Sequence, residues 1–184
     1  MRFSGCNLWS GLEKDRASAQ CKFCDTNFWG TDGPSGGKYD VTTLVELCLS
    51  MWPDSHSQPW IVCTGGEPLL QLDKTLIEAF HDKGCFIAIE TNGTIQIPQG
   101  IDWVCVSPKL ESKLIVVQGD ELKLVYPQDG IDLAVYEQMS FDHYSLQPLD
   151  DDHQDKNIKD CLELCKQRPR WRLSLQTHKF MNIP

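Results

Sequence analysis

An α/β fold built on a mostly parallel sheet is what this sequence predicts, and three observations carry the expectation. Short apolar runs with the length of buried strands recur along the chain. Segments with helical spacing alternate with them, an order that implies parallel pairing. Four chemically suggestive motifs fall just past the carboxyl ends of predicted strands, the edge where parallel α/β folds assemble their sites.

The elements follow in order. Trp60-Ile61-Val62-Cys63 is a buried-strand run that ends at Thr64-Gly65-Gly66, where the chain must turn. Leu69, Leu72, Leu76, Ile77 and Phe80 then repeat at helical spacing, and Gly84 supplies a C-terminal stop. Phe86-Ile87-Ala88-Ile89, Trp103-Val104-Cys105-Val106 and Leu122-Lys123-Leu124-Val125-Tyr126 are further strands. His143 to Leu146 reads as a strand, Asp155 to Gln167 as a helix, and Trp171 to Gln176 as a last alternating strand. Repeats, low-complexity segments and linkers are absent from the sequence, so residues 1–184 are expected to form a single domain.

Composition narrows the class. A chain of 184 residues is large enough to bury roughly 70% of its unfolded surface. Its 41% hydrophobic and 23% charged residues are ordinary for a globular protein. A formal charge of −9 argues against broad binding to nucleic acid or anionic membranes, and no apolar stretch is long enough to span a bilayer. The start lacks the pattern of an export signal, and a disulfide framework would suit a short secreted chain, so the nine cysteines point to a reducing, cytoplasmic setting. Cys48, Cys63, Cys85 and Cys105 sit in apolar segments and read as small hydrophobes. Cys161 and Cys165 share one helical face and could bind metal, although no further ligand stands near them in sequence.

Cys6, Cys21 and Cys24 are different. The close pair lies in Cys21-Lys22-Phe23-Cys24-Asp25-Thr26, with Cys6 fourteen intervening residues upstream. Three thiolates can hold three irons of a [4Fe–4S] cluster and leave the fourth open to a ligand. A structural zinc site wants four ligands, and His56, His81, His143, His153 and His178 are all distant in sequence. On spacing alone both readings stand.

Downstream come Thr64-Gly65-Gly66-Glu67-Pro68, Glu90-Thr91-Asn92-Gly93-Thr94 and Ser107-Pro108-Lys109. With these motifs the chain resembles the radical S-adenosylmethionine superfamily. The long insertion Asn7–Gln20, together with Arg2-Phe3-Ser4-Gly5-Cys6-Asn7-Leu8-Trp9, resembles the 7-carboxy-7-deazaguanine synthase family in particular. The resemblance implies an incomplete (β/α) barrel with a reduced helical ring. It implies a carbon–nitrogen lyase that turns 6-carboxy-5,6,7,8-tetrahydropterin into 7-carboxy-7-deazaguanine with loss of ammonia, within queuosine biosynthesis and tRNA modification. A [4Fe–4S] cluster, S-adenosylmethionine and Mg2+ are the cofactors implied, with flavodoxin or ferredoxin as electron donor and a homodimer as the assembly.

Residue by residue, the resemblance makes Cys6, Cys21 and Cys24 the cluster ligands and Thr26 the magnesium ligand. Phe23, Cys24, Asp25, Gly66, Ser107, Pro108, Lys109, Gln147, Pro148, Leu149 and Asp150 match cofactor contacts, and Arg2, Thr64 and Pro184 match substrate contacts. Plainer readings stand beside several of these. Phe23 could cap a cluster from solvent, Gly65-Gly66 could be a simple strand-to-helix turn, and Thr26 a turn residue. Asp150 could be the N-cap of the following helix. An arginine fork at position 2 suits a carboxylate substrate, and Glu90 and Lys109 are candidate acid–base groups.

One departure matters. The family carries a further amino-terminal segment that forms the first strand and touches substrate, whereas this chain begins Met1-Arg2-Phe3. The expectation is therefore a barrel lacking its first strand, an unpaired edge, and weak pterin binding in a form that begins at an internal start or comes from a truncated gene model. Two rivals accompany this reading: an activating enzyme that installs glycyl radicals, against which the long insertion and short length speak, and a truncated, inactive scaffold that acts by binding.

Overall fold

The computed structural model describes residues 1–53, 56–110 and 112–183. Seven strands form one parallel sheet in simple sequence order: β1 (Arg2–Phe3), β2 (Trp60–Gly65), β3 (Phe86–Thr91), β4 (Trp103–Val106), β5 (Gln118–Tyr126), β6 (Ser140–Pro148) and β7 (Trp171–Leu173). Each strand pairs with its successor in parallel, and the sheet is not closed. Among the described residues five α-helices accompany it: α1 (Val41–Ser50), α2 (Lys74–His81), α3 (Leu133–Tyr136), α4 (Gln154–Gln167) and α5 (Thr177–Phe180). The described connections from β3 to β4 and from β4 to β5 carry no helix, and α3 is a single turn. This is the incomplete barrel with a reduced helical ring.

Alternation within the strands sorts the faces. Ile61, Cys63, Ile87 and Ile89 pack beneath α1 and α2 with Leu76, Ile77 and Phe80. Val106, Leu122, Leu124, Tyr144 and Leu146 form a second core with Cys161 and Trp171. Each such side chain contributes roughly 1.5–3 kcal/mol through burial. The intervening residues Val62, Thr64, Glu90, Lys123, Val125 and Gln147 face the barrel interior, where they line a cavity.

Local chemistry sets the boundaries. The periodic run that begins at Leu69 divides in two, because Glu67 accepts from the Leu69 N–H and starts a 3-10 turn at Pro68–Leu70. Asp73 then accepts from the Leu76 N–H at 2.9 Å and starts α2. Gly84, at φ +73°, ends it as expected. The last strand stops at Leu173 instead of Gln176. Ser174 still donates to the Leu146 carbonyl, but the next rung would need an N–H from Pro148, which has none. Asp150 does not N-cap α4; His153 occupies that position.

Arg2 and Phe3 form a two-residue β1 paired with Thr64 and Gly65. Its approach explains both glycines. A Cβ on Gly65 would lie 2.2 Å from the Phe3 carbonyl oxygen, and one on Gly66 1.9 Å from that of Gly5. All nine cysteines are free thiols. Cys63, Cys85 and Cys105 are buried in apolar surroundings, and burial pushes the Cys63 thiol up to about 12. Cys161 likewise sits in the core, with Cys165 packed against it.

Candidate active site

A cavity of about 620 Å³ opens over the carboxyl ends of the strands. That volume suits a cofactor-sized ligand. Its first wall is the cysteine loop, residues 4–28, which has no strand and only a 3-10 turn at Glu13–Ser18. Backbone bonds fasten its ends: Gly5 donates to Phe28, and Glu67 donates to Gly5 at 2.9 Å. Trp9, Ala19 and Phe28 are buried in a small core against which Cys6 and Cys24 pack, with Trp9 and Phe28 edge to face at 5.5 Å. The Arg16 guanidinium lies 4.0 Å above the Trp9 ring and donates to the carbonyls of Lys22 and Cys24.

This folding brings Cys6, Cys21 and Cys24 onto one cavity wall, although only two are close in sequence. The hydrogen bond from Cys21 holds the Cys24 thiol below its ordinary range despite burial. Cys6, Cys21 and Cys24 face the open volume, where a cluster would give each thiolate its own iron.

Lys109 is the neighbouring cation. Its Nζ donates to the Ser107 carbonyl and hydroxyl, both at 2.8 Å, and stands 5.9 Å from the Phe23 ring centroid. Burial lowers the Lys109 pKa, and the facing thiols oppose that shift. Phe23, Ser107 and Lys109 line the cavity, while Pro108 is buried behind it. Gly66 lines it too, so the close approach of Gly5 and contact with a ligand are compatible roles for one glycine.

The floor is polar. Lys123 pairs with Glu90 at 2.6 Å and is 16% exposed in its side chain, and the Thr64 hydroxyl reaches Glu90 at 3.5 Å. Burial works against the Lys123 charge, but Cys105 and Glu90 outweigh it and hold its pKa above the ordinary lysine value. Arg2, on β1, lines the same cavity. Glu90 and Lys109, both candidate acid–base groups, therefore occupy separate parts of the cavity with separate partners.

Gln147, Pro148, Leu149 and Asp150 form the rim where β6 ends. Asp150 accepts from Gln154 and pairs with Lys179 of α5. Lys179 also pairs with Asp25 at 2.5 Å, and Gln176 donates to Asp25 at 2.8 Å. Burial raises the Asp25 pKa, and the bonds from Lys179 and Gln176 more than reverse this. Thr26 stands beside Asp25 on the lining. Pro184 lies outside the described residues.

Asn92, within the Glu90–Thr94 motif expected at this edge, lines the cavity, whereas sequence reasoning missed Lys123, Gln176 and Lys179. A lysine between Leu122 and Leu124 in a strand was a usable sign of an inward charge. Gln176 and Lys179 carried no local signal, since their partners lie at positions 25 and 150.

Comparison with known proteins extends along the whole chain. The 7-carboxy-7-deazaguanine synthase of Burkholderia multivorans is 52% identical over 184 residues, which is 100% of this chain and 88% of that protein. The 7-carboxy-7-deazaguanine synthases of Bordetella pertussis (48% over 184 residues) and Nitratidesulfovibrio vulgaris (50% over 190 residues) match with the same coverage of both chains. The crystal structure of QueE from Escherichia coli superimposes with a TM-score of 0.67, covering 95% of this chain and 83% of that one; at 23% identity this supports the fold. No family model matches.

Proposed function

The chain belongs to the 7-carboxy-7-deazaguanine synthase family, and we propose that its cavity converts 6-carboxy-5,6,7,8-tetrahydropterin to 7-carboxy-7-deazaguanine with loss of ammonia. The observation that carries this reading is the meeting of three cysteines, Gly65 and Gly66 and a polar floor around one cavity. A bound [4Fe–4S] cluster and S-adenosylmethionine supply the one-electron chemistry that opens the reaction; the protein supplies placement and electrostatics.

Cys6, Cys21 and Cys24 are the cluster ligands, and the Arg16 bonds to the Lys22 and Cys24 carbonyls hold the last two of them in place. Lys109 offsets thiolate charge from the adjoining wall. Ser107, Gln147, Leu149 and Asp150 line the portion that receives S-adenosylmethionine, with Asp150 as an acceptor for hydroxyl groups. Arg2 suits the substrate carboxylate, and Thr64 and Glu90 present oxygens to ring N–H groups, with Lys123 keeping Glu90 in one orientation. Thr26 is the protein ligand for Mg2+, an ion that retains several waters and borrows substrate oxygens. An electron donor of the flavodoxin or ferredoxin type and a homodimer complete the proposal. Nine free thiols are consistent with a reducing cytoplasm. No described helix is long and apolar enough to cross a membrane.

The test is anaerobic reconstitution with iron and sulfide, then reduction in the presence of S-adenosylmethionine and the pterin, with mass analysis. Formation of 7-carboxy-7-deazaguanine is expected. A protein that binds the cluster and cleaves only S-adenosylmethionine would overturn the substrate assignment.

A further inference from the structure

Asn7 directly follows Cys6, and its amide is held by residues more than eighty positions away. Asn92 Nδ2 donates to Asn7 Oδ1 at 2.9 Å, and Asn7 Nδ2 donates to the Thr94 hydroxyl at 2.7 Å. The Thr94 hydroxyl in turn donates to Asn92 Oδ1 at 2.6 Å, so the three side chains close a hydrogen-bonded ring. Thr94 N–H also reaches Asn92 Oδ1, at 3.0 Å.

The ring stands on a rigid base. Asn92 is 7% exposed, and its backbone N–H donates to Glu67 Oε2 at 2.8 Å. Glu67 is fully buried, accepts from the Thr91 hydroxyl at 2.8 Å, and donates its own N–H to the Gly5 carbonyl. A buried carboxylate is tolerated because its oxygens are taken up by donors. The turn after β2, the end of β3 and the strand leading to Cys6 are thereby locked together.

The three cysteines differ in how much they need such a tether. Cys21 and Cys24 have only two residues between them, and Arg16 already binds the carbonyls of Lys22 and Cys24. Cys6 is separated from them by fourteen residues of loop, and the entropy of bringing two chain positions together rises with their separation. A ligand on the far end of a long irregular loop is held only as well as that end is anchored.

We propose that Asn92 is a positioning residue for Cys6: the Asn7–Asn92–Thr94 ring anchors the first cysteine to β3 and sets how long the cluster is retained. The inference rests on the reading of Cys6 as a cluster ligand. It assigns the ring a role in holding iron, separate from any contact with S-adenosylmethionine or pterin.

The experiment is iron release from the anaerobically reconstituted full chain to a ferrous chelator. Asn7→Ala and Asn92→Ala are each expected to lose iron about fivefold faster than wild type, the scale of one net hydrogen bond. The double variant should be no faster than the quicker single variant, because either change opens the same ring. Thr94→Ser should keep the wild-type rate and Thr94→Val should match Asn92→Ala. Asn7 is exposed, so cluster-free Asn7→Ala should melt as wild type does; a purely structural role would lower that melting temperature. Wild-type release rates in both alanine variants, or fully additive effects, would overturn the proposal. A chain that takes up no cluster would overturn it together with the assignment of the three cysteines.

Discussion

The cysteine wall of the cavity and the β5–β6 wall are held by different kinds of force. Residues 4–28 contain no strand, and hydrogen bonds to distant partners fasten them: Gly5 to Glu67, Asn7 to Asn92, Asp25 to Lys179. β5 and β6 share eight registered pairs over a continuous core that includes Leu122, Leu124, Tyr144 and Leu146. One wall owes its shape to a three-residue core and to individual polar contacts, each of the latter worth about 1 kcal/mol net. The other owes it to summed burial, where loss of one large side chain costs several times more. The proposed cluster ligands stand on the weaker wall, as functional loops carried by a rigid scaffold usually do.

Substitutions can break this contrast. The largest effect is expected at Cys24→Ala, which should abolish cluster retention and turnover while the apoprotein stays folded; iron analysis and circular dichroism test both halves. An unfolded product would mean the loop is structural after all. Trp171→Ala, in the core behind β6, should do the opposite. It should cost ~3–5 kcal/mol in denaturant unfolding, the usual range for a buried tryptophan, with cluster binding intact in the folded fraction.

Lys123→Met comes next, because it leaves Glu90 on the cavity floor without its cation. Pterin turnover should drop roughly tenfold, the scale of one charge-assisted bond, while uncoupled cleavage of S-adenosylmethionine persists. Equal loss of both activities would show that the floor and the cluster region are not separable. Lys179→Ala should have a smaller effect, a few-fold weaker affinity for S-adenosylmethionine by calorimetry, because the Asp25 and Asp150 carboxylates lose the ammonium that spaces them.

The smallest effect is a matter of pH and belongs to the β5–β6 side. Bonds from Arg168 and Trp171 hold the Glu137 carboxyl below the ordinary glutamate range. A lowered folded-state pKa stabilises above the unfolded value, and that contribution disappears as pH falls through the folded value. Glu137→Gln should therefore be less stable than wild type at neutral pH, with the gap closing in acid. A gap independent of pH would remove the electrostatic part of the explanation.

The two walls were unequally legible. Trp103–Val106 as a strand, and the cores of β3, β5 and β6, follow from runs of apolar and alternating residues that report burial directly. α1 went unread although Asp40 caps it through the Thr43 N–H, because only Val45 is fully buried and its periodicity is faint. The cysteines were legible through their spacing and their company of motifs. The ring around Asn7 was not, since an asparagine in a loop gives no sign of its distant partner.

By itself the sequence determined the parallel order, the burial of the strand faces and the presence of a three-thiol set beside glycine-rich strand ends. Those depend on patterns within a few residues, where hydrophobic period and covalent geometry leave little choice. Only the tertiary structure decided that Glu90 faces Lys123 rather than Lys109, and that Gly66 clears the Gly5 carbonyl. It also joined Asp25 to Asp150 through Lys179. Such pairings join residues tens to more than a hundred positions apart. They exist once the sheet has fixed the distances, because a hydrogen bond or ion pair depends on position in space and leaves no period in the chain.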